Sequence, residues 1–117
     1  METRNRGDVI IVHCQGRIVY RDEAAALSQV VGELLQFRSS VILDLSGVES
    51  VDGAGIGELA LLHVCAREKK ANFKCAAPNE VVRALLELTN LDTVLDVYSS
   101  VDSALESLRE EQVCADC

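Results

Sequence analysis

Residues 41–65 constrain the fold more than any other stretch of the chain. They read VILDLSGVESVDGAGIGELALLHVC, an aliphatic run followed by a Ser-Gly break and a long apolar segment without proline. This order predicts a strand, a loop and a helix. Asp52 opens the apolar segment, where its carboxylate can accept the orphan N–H groups of a first helical turn. We therefore predict that Asp52 caps a helix over residues 53–70.

Three glycines crowd the first turns of this predicted helix: Gly53, Gly55 and Gly57. Glycine costs roughly 1 kcal/mol relative to alanine in a helix interior, so their presence needs a reason. Either the turn packs very close to a neighbouring strand, or something large approaches its backbone. The P-loop lysine is missing and the spacing is not that of a dinucleotide fingerprint, so we do not predict a phosphate-binding loop.

Composition excludes several classes of partner. The chain has 117 residues and is 49% hydrophobic, which suits one domain with its own core. Its formal net charge of -8 disfavours nucleic acid and anionic membranes and favours a basic partner surface. Five cysteines are an odd number, and no signal peptide or membrane-spanning run is visible. We expect a reduced, cytoplasmic protein without membrane insertion.

Strand and helix patterns alternate along the rest of the chain. The predicted strands cover residues 1–5, 9–14 with a continuation at 17–20, 41–45, 73–77 and 94–98. The predicted helices cover residues 22–37, 53–70 and 80–88, and a last helix begins near residue 101 and frays from residue 110. Crossovers of this length favour a mostly parallel sheet, and the first hairpin adds an antiparallel edge. We predict an α/β fold with four to five strands and about four helices.

The apolar pattern also predicts which side of each helix faces the core. The inner face of the second helix is predicted to comprise Ile56, Leu59, Ala60, His63 and Val64, widened by Leu62 and Ala66. Leu61 falls on the outer side and is predicted to be exposed. The third helix is predicted to point mostly inward with Val81, Val82, Leu85, Leu86 and Leu88. Ser99 and Asp102 form a predicted capping box for the last helix.

No constellation for catalysis or metal binding is readable. His63 and Cys65 are two residues apart on a helix and face different ways, so they do not form a nucleophile–base pair. Cys114 and Cys117 lack a second cysteine pair at zinc-site spacing. We predict no enzymatic activity, no metal site and no cofactor.

Several local motifs, in this order of elements, resemble the STAS family. They are DLSGV at 44–48, DGAGIG at 52–57, GRI at 16–18, CAAP at 75–78 and LTNL at 88–91. The resemblance extends over nearly the whole chain. The family comprises the anti-sigma factor antagonist domains of bacteria and related domains of anion transporters and stress-signalling assemblies.

The resemblance implies a non-enzymatic binding protein with one STAS-like domain over residues 1–112. We expect residues 113–117 to form a flexible tail, because chain ends are often poorly ordered. The resemblance also implies a partner such as an anti-sigma factor or a serine kinase-like regulator, bound through the loop before the second helix and that helix's exposed turns. The implied partner-binding residues are Asp52, Gly53, Ala54, Gly55, Ile56 and Leu61.

The same resemblance draws attention to a missing hydroxyl. In many members a Ser or Thr directly after the loop Asp is phosphorylated, and the added charge expels the partner. Here that position is Gly53, and the next residue, Ala54, cannot substitute. Phosphorylation at this position is therefore chemically impossible.

Several alternatives stay open at this point. The protein is either a permanently competent binder, controlled through its partner or its synthesis, or an adaptor subunit of a transport or signalling complex. A small-ligand sensor for a nucleotide, lipid or anion is the alternative from another class. Ser46 and Ser50 are turn residues or substitute phosphate acceptors. The outer side of the second helix, including Leu61, is also open to a homodimer contact.

Overall fold

The computed structural model of the chain describes residues 2–18, 22–36 and 40–116. In chain order the strands are β1 (Glu2–Arg6), β2 (Val9–Ile18), β3 (Ser40–Val51), β4 (Phe73–Ala76) and β5 (Asp96–Tyr98). The helices are α1 (Asp22–Leu35), α2 (Gly53–Lys69), α3 (Glu80–Leu88) and α4 (Val101–Asp116), with a short 3-10 turn at Leu91–Thr93 before β5.

The described strands form one sheet in the order β1-β2-β3-β4-β5. Only the β1–β2 pairing is antiparallel, and the other three pairings are parallel. The β1–β2 hairpin closes between Arg6 and Val9, where Gly7 takes a positive φ of 64° that a side chain would disfavour. The predicted α/β fold, with its mostly parallel sheet, antiparallel N-terminal edge and four helices, is confirmed.

The two faces of the sheet are covered unequally. One face packs against α1, α2 and α3 through buried side chains such as Val31, Leu59 and Leu86. Among the described helices, only α4 packs against the other face, through Ala104 and neighbouring apolar residues. The helix layer and α4 therefore bury separate aliphatic clusters on either side of β2, β3 and β4.

The predicted end of the central strand at residue 45 is wrong. β3 continues through Val51 because β2 also continues and pairs with it, with Gln15 opposite Gly47 and Ile18 opposite Val51. The register of β2 shifts opposite Ser46 and Gly47, so the pairing of the two strands continues past them. Gly47, which the sequence indicated as a turn, is therefore a strand residue beside a bulge.

The predicted inner faces of α2 and α3 need correction. Val64 is 49% exposed, and so are Val81 (55%) and Leu88 (81%), whereas all three were predicted to point inward. The buried residues of α2 are Gly55, Leu59, Leu62 and Ala66, and those of α3 are Val82 and Leu86. Apolar residues occur on every side of both helices, so their periodicity alone does not single out the buried side. The predicted exposure of Leu61 is confirmed at 53%.

The ends of the last elements also differ from the prediction. Val94 lies outside β5 and is exposed. Ser100, rather than Ser99, caps α4, because its hydroxyl accepts the Ser103 backbone N–H at 3.0 Å. The structure gives α4 as a helix through Asp116, and the mobility expected of residues 113–117 stays a prediction. Expectations for residues 1, 19–21, 37–39 and 117, and for the side chains at 17–18, 22–28 and 110–116, fall outside the described part of the chain.

Candidate partner-docking site

Asp52 holds the start of α2 in place at the end of β3. Its backbone is extended, and its side-chain Oδ1 accepts the Gly55 N–H at 2.9 Å. The Asp52 carbonyl accepts the first intrahelical bond, from the Ile56 N–H, at 2.9 Å. The predicted N-cap is therefore confirmed, and the orphan amides of the first turn are partly satisfied before any partner arrives.

A second support comes from the start of α3. The Asn79 side chain caps α3 by accepting the Val82 N–H at 2.8 Å. Its amide nitrogen donates to the carbonyls of Val48 at 3.0 Å and Glu49 at 3.3 Å. Asn79 therefore links α3 to the last residues of β3, directly before Asp52. The sequence identified Asn79 only as a helix start, because its bond to β3 spans about thirty residues.

Gly53 and Gly57 are exposed, and neither is required by packing within the described structure. A Cβ built on either residue meets no atom within 4 Å. Of the two explanations for these glycines, close packing against a neighbouring strand therefore fails for both. Gly55 differs because it is buried in the helix layer. At Gly53 and Gly57, no side chain covers the backbone of the first two turns, which is therefore exposed to solvent.

An apolar stripe continues from these glycines along α2. Gly53, Gly57, Leu61 and Val64 are all exposed and recur every three or four residues, so they lie on one side of the helix. We call these four residues the outer face of α2. Such a row of small and then larger apolar side chains on a solvated helix is typical of an interaction surface.

The residues predicted to bind a partner do not all lie on this face. Gly53 and Leu61 belong to it, and Ala54 is half-buried beside it. Gly55 is buried, and Ile56 is half-buried and packs against the main core. Gly57 and Val64 were not among the predicted binding residues. The signal for them is the spacing of Gly55, Leu59, Leu62 and Ala66, which identifies the opposite side as the buried one.

A polar cluster joins β2 and β3 on the α4 side of the sheet. His13 Nδ1 donates to Asp44 Oδ2 at 2.9 Å, and the Ser46 backbone N–H donates to Asp44 Oδ1 at 3.0 Å. Burial by itself would raise the pKa of the Asp44 carboxyl, but hydrogen bonds from Ser46 and His13 outweigh it, and the net pKa lies below the ordinary 3.8. These hydrogen bonds link β2 to β3.

Cys14 and Cys75 are poor candidates for nucleophiles. Desolvation raises the pKa of Cys14 to about 11 and that of Cys75 to about 12. Both side chains are therefore protonated thiols at neutral pH. Cys65 and His63 are half-buried on α2. Among the side chains that the structure describes, no three from His, Cys, Asp or Glu gather as a metal ion would require.

No helix in the described part of the chain combines the length and apolar character needed to cross a membrane.

The chain belongs to the STAS domain family, whose model matches residues 1–104. The resemblance predicted from the motifs at 44–48 and 52–57 is thereby confirmed. The sheet order and helix arrangement described above match an anti-sigma factor antagonist-like STAS fold.

Comparisons by sequence and by structure show what the chain is similar to. A Thermotoga maritima protein provisionally named an anti-sigma factor antagonist is 32% identical over 73 residues, covering 62% of this chain and 65% of the relative. The chain thus spans just under two thirds of that relative's length. A crystal structure of an anti-sigma factor antagonist, also provisionally named, from Thermotoga maritima superposes with a TM-score of 0.84 and 25% identity, covering 92% of this chain and 93% of the other. The crystal structure of an anti-sigma factor antagonist from Mycobacterium paratuberculosis superposes with a TM-score of 0.83 and 27% sequence identity, covering 92% of each chain.

Proposed function

We propose that this protein is a non-enzymatic, cytoplasmic anti-sigma factor antagonist that binds an anti-sigma factor or a serine kinase-like regulator. The partner docks on the outer face of α2 and on the adjoining loop residues Asp52 and Ala54. Gly55 and Ile56 support that surface from inside the helix layer. The net charge of -8 favours a partner whose docking surface is basic.

One observation carries the proposal. Gly53 is exposed at the first position of α2, and a Cβ there would meet no described atom within 4 Å. The helix gives up stability at Gly53 without gaining internal packing, which is understandable when the backbone there is reserved for close contact with another protein. The cap from Asp52 keeps that backbone helical in the absence of the partner, so binding requires little ordering.

We also propose that the start of α2 carries no phosphorylation switch. Neither Gly53 nor Ala54 has a hydroxyl, so a kinase partner cannot release itself by phosphorylating the start of α2. Ser46 and Ser50 both lie in β3, before the start of α2, and the Ser46 backbone N–H donates to Asp44. The protein is then competent to bind whenever it is present, and control resides in its synthesis or in the partner.

The test begins by identifying the partner. The tagged protein is used to capture binding proteins from its own cells, and mass spectrometry identifies them. Recovery of an anti-sigma factor or a kinase-like regulator is the expected result. If the proteins that bind reproducibly all belong to other classes, the proposed partner is wrong.

The purified partner is then titrated calorimetrically against matched glycine variants. Gly53→Glu places a charged side chain on the outer face of α2 and is expected to raise the Kd about 100-fold or more. An acidic residue at a helix N-terminus is favourable, so this variant should fold normally. Gly32→Glu on α1 is the control, because a Cβ on Gly32 would also meet open space and Gly32 lies outside the docking face. Equal Kd values for the two variants would contradict the proposed face.

A further inference from the structure

A cavity of about 490 Å³ lies between the β1–β2 hairpin and α4. Its volume falls within the range of small-molecule sites. The lining residues are Asn5, Arg6, Gly7, Asp8, Val9, Leu105, Leu108 and Arg109.

This cavity is remote from the outer face of α2. It opens beside Val9, the first residue of β2, whereas α2 begins after Val51, which pairs with Ile18 at the other end of β2. At about 3.3 Å per residue, β2 separates the two regions by roughly 30 Å. They also lie on opposite sides of the sheet, since α2 packs on one face and α4 on the other. A ligand here would leave the docking face accessible.

The cavity is lined by two arginines and by three apolar side chains. Arg6 and Arg109 both line it, and neither forms an ion pair with any residue that the structure describes. The apolar side chains are Val9, Leu105 and Leu108, which are all buried. A planar guanidinium can donate two parallel hydrogen bonds to one carboxylate, so the arginines can bind the anionic group of a ligand. The leucines can contact an apolar chain attached to that group.

The surrounding acids limit the charge that the site can accept. Asp8 lines the cavity, and a neighbouring groove that shares Arg6 and Arg109 is also lined by Asp102 and Glu106. Within the cavity itself, two guanidinium groups face one carboxylate, and two further carboxylates lie in the adjoining groove. A single excess positive charge suits a ligand with one negative charge, whereas a polyanion would also bring like charges close to these carboxylates.

We propose that the cavity binds a small organic monoanion, a single carboxylate joined to a short apolar chain. The carboxylate lies between Arg6 and Arg109, and the apolar chain covers Leu105 and Leu108. The site is separate from the docking face, so its success or failure is independent of the function proposed above.

The experiment uses sodium octanoate as the probe and the backbone amide NMR spectrum of the ¹⁵N-labelled full chain as the readout. We expect saturable shifts confined to Gly7, Asp8 and residues 105–109, with a Kd below about 1 mM. Acetate, which has only the head, and 1-octanol, which has only the chain, should each bind at least about tenfold more weakly. Shifts that do not saturate, or octanol binding as tightly as octanoate, would overturn the proposal.

Matched arginine variants test the head group directly. The double variant Arg6→Gln with Arg109→Gln is expected to weaken octanoate binding about tenfold or more, while both leucines remain in place. Arg83→Gln is the control, because Arg83 is exposed on α3 and lies outside the cavity. If the double variant binds octanoate as tightly as Arg83→Gln does, the arginines do not form the site and the proposal is wrong.

Discussion

Gly47 and Gly53 lie close together in the chain and are glycines for opposite reasons. At Gly47, a Cβ would lie 2.8 Å from the Cys14 carbonyl oxygen and 3.1 Å from the Gln15 side chain. At Gly53, a Cβ would meet nothing within 4 Å. The first glycine is required by the close approach of β2 and β3, and the second is not required by any described contact of the fold.

The difference separates what the fold needs from what binding needs. Gly47 lets the β2 bulge pass β3 without a steric clash, so it acts through stability. Gly53 weakens α2 slightly and leaves its backbone accessible, so we assign it to the partner. Substitutions at the two positions should therefore move stability in opposite directions.

Gly47→Ala should have the largest effect on stability. The new methyl group meets a backbone carbonyl, which cannot rotate away as a side chain would, so β2 or β3 must shift. We expect a loss of about 1–3 kcal/mol in the free energy of unfolding, as for other overpacked sites. Urea denaturation measures it. An unchanged midpoint would show that the bulge can move at no cost, and Gly47 would then resemble Gly53.

Asp52→Ala should destabilise the protein by about 1 kcal/mol, because the Gly55 N–H loses its acceptor at the start of α2. Asp52→Asn keeps an oxygen at the capping position and should recover most of the loss. Thermal unfolding of both variants provides the comparison. A full loss in Asp52→Asn would show that the charge of Asp52, rather than its capping bond, stabilises this turn.

Gly53→Ala should stabilise the protein by up to about 1 kcal/mol, since alanine is a better helix former and the space around the residue is open. The same variant should bind the partner more weakly, because a methyl group now stands on the outer face of α2. Urea denaturation and calorimetric titration give the two quantities. Stabilisation without any weakening of binding would remove the functional reason for the glycine.

The hydrogen-bonded Asp44 carboxylate, which lies close to Gly47 in β3, should make a small contribution to stability that depends on pH. The Asp44 carboxyl has a lowered pKa in the folded state, so it contributes stability above its ordinary pKa of 3.8, and this contribution is lost as the pH falls through the lower, folded value. Asp44→Asn lacks this contribution. Between about pH 5 and pH 2, the free energy of unfolding of the native protein should therefore fall more steeply than that of Asp44→Asn. Parallel curves would show that Asp44 titrates alike in both states.

Much of the fold follows from local patterns. The apolar runs indicated the βα alternation, and Asp52 before an apolar segment identified the start of α2. What the sequence did not reveal depends on contacts between distant residues. The extension of β3 requires pairing with β2 some thirty residues earlier, and the bond from Asn79 to Val48 has a similar span.

The candidate docking site was predicted only in part, because the sequence did not show which side of α2 packs against the rest of the fold. Leu61 was recognised as exposed, but Val64 was assigned to the core, because apolar residues occur on every side of α2. The cavity at Arg6 and Arg109 joins the first hairpin to the last helix, about a hundred residues away in the chain. No local motif predicts that meeting, because it depends on α4 crossing the face of the sheet.

The most direct test of the account is the footprint of the partner on this protein. The ¹⁵N-labelled chain is titrated with the purified regulator, and the broadening of each backbone amide is measured. We expect the strongest broadening at residues 52–64, while the amides of the β1–β2 hairpin and of α4 around Arg109 keep the line widths of the free protein. Changes centred on the hairpin or α4, with Gly53 and Gly57 unaffected, would contradict the proposed docking face.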